Sequence, residues 1–279
     1  MTVLFKDVGS FAQEQFDKAS EGSAAIRLSE SKYTSANAMT RNEMMVERYG
    51  SISAKALGDN PEFQELKTGY GKSIWAVVLS VDLRRSTKRE IRIGPKKTHL
   101  TMHTYLPTMV NLVGSYEGSV VGLRGDGLIA QFGETEIVKN DGSEVSPKVA
   151  ERAAKQAVRC GKSMIETVEE IINPILARND IEAGLAVGIG IDQSDLVVTR
   201  IGHLTSNELT AYGPAVNKAC KFSDRSNQIR VTDRVKSLYP KGKKGKVRFR
   251  ALGGGKSGLI VSFPNDMQML VGSRVNRPR

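Results

Sequence analysis

Residues 120–133, VVGLRGDGLIAQFG, set two apolar runs on either side of Gly125, Asp126 and Gly127. An Asp-Gly step between such runs is the strongest local signal for an antiparallel hairpin, and it restricts what the flanking chain can be. The plainer reading of Asp126 is a turn residue. Whether the acid does more depends on what lies beside the hairpin.

Upstream, IWAVVLSVD (74–82) is a buried strand by its β-branched and aromatic content. THLTMHTYLPTMVNLVGSY (98–116) has helical spacing, with a kink expected at Pro107. Downstream, SPKVAERAAKQAVRCGKSMIETVEEIINPILARND (146–180) reads as one long helix, bent at Gly161 or Pro174. EAGLAVGIGID and DLVVTRIG predict a second antiparallel pair, YGPAVNKACKFSD a short helix, and VRFRALGG with GLIVSF two closing strands. The order β, α, ββ, α, β with additions gives an α/β (α+β) fold class: a ferredoxin-like βαββαβ core, an antiparallel sheet with helices on one face.

With 279 residues, 39% of them hydrophobic, the chain can bury a substantial core. Residues 1–70 are polar and Ser/Ala-rich with short helical patches, and read as a helical extension. A globular domain is expected over 71–265, followed by a basic tail, 266–279. Lys and Arg total 41 against 30 Asp and Glu, a net charge of +11 that attracts polyanions: nucleic acid, a membrane surface or a nucleoside triphosphate. Cys160 and Cys220 are too few for a disulfide framework and are expected to pack as small hydrophobes, which suits a reducing cytoplasm. The N-terminus lacks a signal-peptide core, and the run Ile74 to Val81 is far shorter than a bilayer span, so no membrane insertion is expected.

In the predicted core the strand ending at Asp82 lies beside the hairpin, so Asp82 faces Asp126. Two carboxylates at adjacent strand ends repel one another, a poor structural motif, but they suit Mg²⁺ held jointly with substrate phosphates. The flanking glycines let a triphosphate come close to the backbone. In the short helix, Gly213 caps the start and Pro214 takes the first helical position, while Val216, Ala219 and Cys220 are expected on the core side. Asn217 and Lys221, at i and i+4, share another face.

These segments resemble class III adenylate/guanylate cyclase catalytic domains. VDLRRST resembles the first metal-binding Asp and phosphate loop, and LRGDGLIAQFG the second-Asp hairpin. VGIGIDQSDLVVTRIG and ELTAYGPAVNKACKF resemble the remaining strands and the Asn-containing helix, in the family's order, over about residues 74–262. The resemblance implies a reaction in which the 3′-hydroxyl of a nucleoside triphosphate attacks its own α-phosphorus, releasing pyrophosphate and a 3′,5′-cyclic nucleotide. It implies two Mg²⁺ or Mn²⁺ ions per site on Asp82, the Leu83 backbone carbonyl and Asp126. It places the triphosphate at Ser86 and Thr87, with Arg84 and Arg85 adding charge and Lys256 in GGGKSG as a further phosphate contact. Asn217 then positions the ribose and Lys221, where the family usually has Arg, neutralises charge on the α-phosphate without Arg's bidentate fork. In the family the Asp pair and the Asn helix come from opposite subunits, which implies a head-to-tail homodimer with two shared sites.

The base-reading positions of purine cyclases, Lys with Asp or Glu with Cys, align with Gly122 and Thr210. Neither purine pair is present, since Gly122 has no side chain and Thr210 a single hydroxyl. This departure is similar to bacterial pyrimidine cyclases of antiphage Pycsar systems. It implies UTP, and next CTP, as substrate, with the cyclic nucleotide acting on a nucleotide-activated effector in antiviral defence. The alternatives are a purine (adenylate) cyclase in ordinary signalling and, in a different class, a basic nucleic-acid-binding protein. The latter would use KGKKGKVRFR and the tail, but only Phe249 interleaves there, so no stacking platform and no nucleic-acid partner is expected. GGGKSG is not a P-loop, because the pattern needs Gly where Arg250 stands and a strand follows it. The GG(D/E)EF signature of diguanylate cyclases is absent. His99 and His103 lack the Glu of a zinc-protease motif and read as packed or surface histidines.

Overall fold

The computed structural model describes residues 2–25, 55–133, 145–203, 206–240, 247–253 and 257–263. In chain order these form α1 (Thr2–Ala25), β1 (Lys55–Ala56), a 3₁₀ turn (Leu57–Asp59), α2 (Pro61–Gln64), β2 (Gly71–Leu83), α3 (Ser86–Ser115), β3 (Ser119–Arg124) and β4 (Gly127–Phe132). There follow α4 (Pro147–Thr167), a π-helical turn (Val168–Ile172), α5 (Asn173–Arg178), β5 (Val187–His203), β6 (Ser206–Tyr212), α6 (Pro214–Phe222), β7 (Gln228–Val231), α7 (Asp233–Leu238), β8 (Arg248–Ala251) and β9 (Leu259–Ser262).

Strand β2 is the axis of the sheet because both its faces are apolar. Val77, Leu79 and Val81 enter the core beneath α3 and α4, whereas Ile74, Ala76 and Val78 pack on the opposite side. It pairs antiparallel with β4 and with β5, and the sheet runs β1-β3-β4-β2-β5-β7-β9-β8 with β6 added to β5. The segment β2-α3-β3-β4-α4-β5 is therefore the expected ferredoxin-like βαββαβ core. Among the described residues strand pairing begins at Lys55, and Leu57 and Phe63 are buried with β6 and α6 on the face away from α3 and α4. On the other face, α1 places Val8, Ala12, Phe16 and Ala19 at helical spacing into the main core and packs on α3.

Four local expectations are corrected. The second antiparallel pair is not split at 192–195: β5 is one continuous strand, and its hairpin partner is β6. The polar stretch stays in the strand because the buried Asp192 carboxylate accepts from Thr232 Oγ1 and, at 3.0 Å, from Arg234 Nη2, while Ser194 Oγ accepts from the Ala215 amide. Helix α3 breaks at Gly94 (φ 77°) before Pro95, where the absent Cβ makes the left-handed turn inexpensive, and Pro107 lies within the helix. Helix α4 passes into α5 through a π-helical turn just before Pro174. Gly161 instead lets α4 approach β5, since a Cβ there would lie 2.9 Å from Ile189 Cγ2. Finally, Cys160 is buried as expected but Cys220 is exposed: the core stripe of α6 is Ala215, Ala219 and Phe222, with Val216 half-buried.

Candidate active site

The β2–β4 register pairs Val81 with Leu128, so Asp82 at the end of β2 comes beside Gly127. The approach is close enough that a Cβ on Gly127 would sit 3.0 Å from the Val81 carbonyl and 3.3 Å from Asp82 Oδ1. Arg124 pairs with Gly127 across the hairpin, leaving Gly125 and Asp126 as its two-residue loop. Gly125 has φ +63°, the first-position signature of a type II′ turn, so the loop lies one residue earlier than the Asp-Gly step suggests. Asp126 thus occupies the tip, beside Asp82.

The two carboxylates feel each other. Burial, then the charge of Asp126, push the Asp82 carboxyl above its ordinary range, and Arg84 pulls it back. The Asp82 side chain keeps 35% of its exposure, so it remains open to solvent. Arg84 pairs with Asp82 Oδ2 and donates from the same Nη1 to the Ser223 carbonyl at 3.3 Å. It therefore ties the end of β2 to the C-terminus of α6, a link invisible in the sequence because the partners lie 139 residues apart.

Leu83, Arg84 and Arg85 connect β2 to α3. Arg85 adopts a left-handed conformation (φ 60°, ψ 26°) at the N-cap, and Ser86 and Thr87 open the helix, which has no acid in its first turn. Their backbone N–H groups lack intrahelical acceptors, and the helix dipole favours an anion there.

Helix α6 starts at Gly213 and Pro214 as expected, with Asn217 and Lys221 exposed. It lies almost on the backbone of β5: a Cβ on Gly190 would fall 1.9 Å from the Ala219 carbonyl, and one on Gly188 2.0 Å from that of Ser223. Among the described residues no hydrogen bond or ion pair joins Asn217 or Lys221 to either carboxylate. Lys218 donates to Ser257 at 3.2 Å, tying the turn after β8 to α6. Lys256 itself lies outside the described residues, as does KGKKGK (241–246).

Of the base-reading positions, Gly122 on β3 has nothing within 4 Å of where a Cβ would be, and Thr210 on β6 is 2% exposed. Arg124, which sequence reasoning passed over, reaches from the hairpin to Thr210 Oγ1 and Glu208 Oε1, both at 3.4 Å. Its only sequence signal is a basic side chain immediately before the turn.

Among the described residues no group of three or more His, Cys, Asp or Glu forms an all-protein metal cage. His99 and His103 stack with ring centroids 4.1 Å apart. A pair of strand-end carboxylates whose mutual repulsion Arg84 offsets only in part is a donor set that fits Mg²⁺ or Mn²⁺ shared with phosphates, and Asp82 and Asp126 would hold it, together with the Leu83 carbonyl between Asp82 and the helix start.

This architecture is the fold of class III nucleotidyl cyclase catalytic domains. An adenylyl cyclase from P. aeruginosa superposes with a TM-score of 0.55 at 19% identity, over 75% of this chain and 98% of that one. The guanylate cyclase domain from Catenaria anguillulae, solved in complex with GTP, gives 0.53 at 18% identity over 68% and 96%. By sequence the chain resembles pyrimidine cyclases: a cytidylate cyclase from Escherichia coli is 24% identical over 178 residues, covering 61% of this chain and 36% of that protein. A uridylate cyclase from Burkholderia cepacia is 28% identical over 179 residues, 62% of this chain and 70% of that one. The chain spans less than half the length of the cytidylate cyclases it matches. No family model matches the chain.

Proposed function

We propose that the chain is a nucleotidyl cyclase acting on a pyrimidine nucleoside triphosphate, UTP first and CTP next, and making a 3′,5′-cyclic nucleotide and pyrophosphate. The observation that carries the reading is the solvent-open pairing of Asp82 with Asp126 beside a helix N-terminus rich in free amides and arginines. The cytidylate and uridylate cyclase names of its sequence relatives support the pyrimidine base.

In this reading Asp82, the Leu83 carbonyl and Asp126 hold two divalent cations, Mg²⁺ or Mn²⁺. Bound there, the cations neutralise phosphate charge and lower the pKa of the attacking 3′-hydroxyl. The amides of Ser86 and Thr87, with Arg84, Arg85 and Lys256, take up the β- and γ-phosphates. Arg84 must trade its contact with Asp82 for the incoming phosphate. The hydroxyl oxygen bonds to the α-phosphorus as the bridging oxygen leaves with pyrophosphate, and the hydroxyl proton passes to solvent. Asn217 orients the ribose and Lys221 places its ammonium against the charge growing on the α-phosphate. Gly122 and Thr210 bound the base, with Arg124 anchoring Thr210.

As the resemblance to class III cyclases implies, the reading includes a head-to-tail homodimer in which Asn217 and Lys221 of each subunit complete its partner's site. Residues 71–265 are the catalytic unit and residues 1–70 an extension that braces it. The product is a cytoplasmic messenger in antiviral defence, acting through a cyclic-nucleotide-activated effector. No described helix is long and apolar enough to cross a membrane.

The test is incubation with each of the four nucleoside triphosphates and Mn²⁺, with products identified by mass. Cyclic UMP or cyclic CMP from the wild-type chain and none from Asp126→Asn is expected. Faster turnover of ATP would replace the pyrimidine reading with the adenylate one, and no cyclic product from any triphosphate would end the enzymatic one.

A further inference from the structure

Tyr105 is completely buried on α3, and its hydroxyl has no hydrogen-bond partner among the described residues. This is anomalous for its helix. Thr101, Thr104 and Thr108 all send their hydroxyls to the carbonyl four residues back, at 2.8, 2.8 and 2.7 Å. Leaving a buried hydroxyl unsatisfied is destabilising, and phenylalanine would avoid that at nearly the same volume. A tyrosine is therefore an expensive choice for packing alone.

Its position supplies a reason. The helix that carries Tyr105 packs on both strands of the hairpin whose tip is Asp126, and the ring is buried in the core between them. Helix α3 leaves β2 directly after the Asp82 end, and long helical side chains lean back toward the helix N-terminus, here toward that end of the sheet. Burial, then the charges of Asp126 and Asp82, hold the hydroxyl far above the ordinary phenol range, so the group remains an O–H donor at every working pH.

We propose that Tyr105 is a positioning residue whose buried O–H steadies the Asp126 carboxylate from beneath the hairpin through one water, so that Asp126 and Asp82 hold a divalent cation together. This rests on the metal-binding reading of the two carboxylates. Ligating carboxylates are themselves oriented by hydrogen bonds, and losing such a support typically weakens metal affinity by about 10–100-fold.

The experiment is a Mn²⁺ binding isotherm on the full chain without nucleotide, for wild type, Tyr105→Phe and Asp126→Asn, with the melting temperature of each metal-free protein. Tyr105→Phe is expected to bind Mn²⁺ about 10-fold or more weakly, while its metal-free melting temperature stays level or rises. Wild-type affinity in Tyr105→Phe, with binding lost in Asp126→Asn, overturns this inference alone. Failure of the wild type to bind Mn²⁺ overturns it together with the metal-site reading. A melting temperature several degrees lower, or failure of Tyr105→Phe to fold, makes the hydroxyl structural and overturns the inference as well.

Discussion

Replacing Gly190 with alanine tests how the fold delivers α6 to the site. The added Cβ would lie 1.9 Å from the Ala219 carbonyl oxygen and 2.8 Å from Phe222 Cβ, against an ordinary contact that begins at 3.4 Å. Both obstacles belong to α6 itself, one of them backbone, so no side-chain rotation relieves the clash. The helix must retreat from β5 by about 1.5 Å, or β5 must bow by as much. Overpacking of this kind costs about 1–3 kcal/mol, with a fall in melting temperature of about 2–4 °C per kcal/mol for a chain of this size. The functional cost is larger, because Asn217 and Lys221 ride on the displaced helix: a misplacement of about 1 Å is enough to cost on the order of 100-fold in rate. The assay is kcat for the cyclic product beside the melting curve, with Gly9→Ala as control, since a Cβ at Gly9 meets nothing within 4 Å. Gly190→Ala with wild-type kcat and melting temperature would refute both the close packing of α6 and its place in the reaction.

Mixing Asp126→Asn with Asn217→Ala chains should restore about one quarter of the wild-type rate, since half the dimers are mixed and each of those has one intact site; continued silence would argue against shared sites. Asp192→Ala should lower stability by about 1–3 kcal/mol in denaturant titrations, because Thr232 loses its buried acceptor and Arg234 must turn to solvent. Glu117 accepts from Gln156 Nε2 at 2.7 Å and from Arg152, and these bonds hold its carboxyl below the ordinary glutamate range. Its contribution is present above the unfolded pKa and lost as pH falls through the folded one. Glu117→Gln should therefore reduce stability at neutral pH by about 0.5 kcal/mol after solvent screening, and its melting curves should converge with wild type as pH falls through the lowered folded-state pKa.

What was legible in the sequence follows the length scale of the forces involved. The strand ending at Asp82, the hairpin and α6 are written in local chemistry: a β-branched run, a turn that needs a glycine, and a Gly-Pro start. The nearness of Asp82 to the hairpin follows instead from the βαββαβ order, which pairs β2 with β4 in the register Val81–Leu128. The continuity of β5 was not legible, since Asp192, Gln193 and Ser194 look like a turn until Thr232, Arg234 and the Ala215 amide satisfy them from distant segments. Likewise the break of α3 falls at Gly94, where glycine tolerates φ 77°, and not at the more conspicuous Pro107. The exposure of Cys220 reflects which stripe of α6 meets the sheet, which the glycines of β5 decide. Arg84 and Tyr105 owe their interest to neighbours far away in sequence, and a single sequence carries no mark of that.

The central claim is that Asp82 and Asp126 jointly hold cations that fix a triphosphate. Anomalous scattering from crystals grown with Mn²⁺ and a non-cyclising UTP analogue tests it most directly. The account predicts manganese peaks at these two carboxylates, with the triphosphate over Arg85, Ser86 and Thr87. A bound nucleotide with no manganese at Asp82 or Asp126 would contradict it.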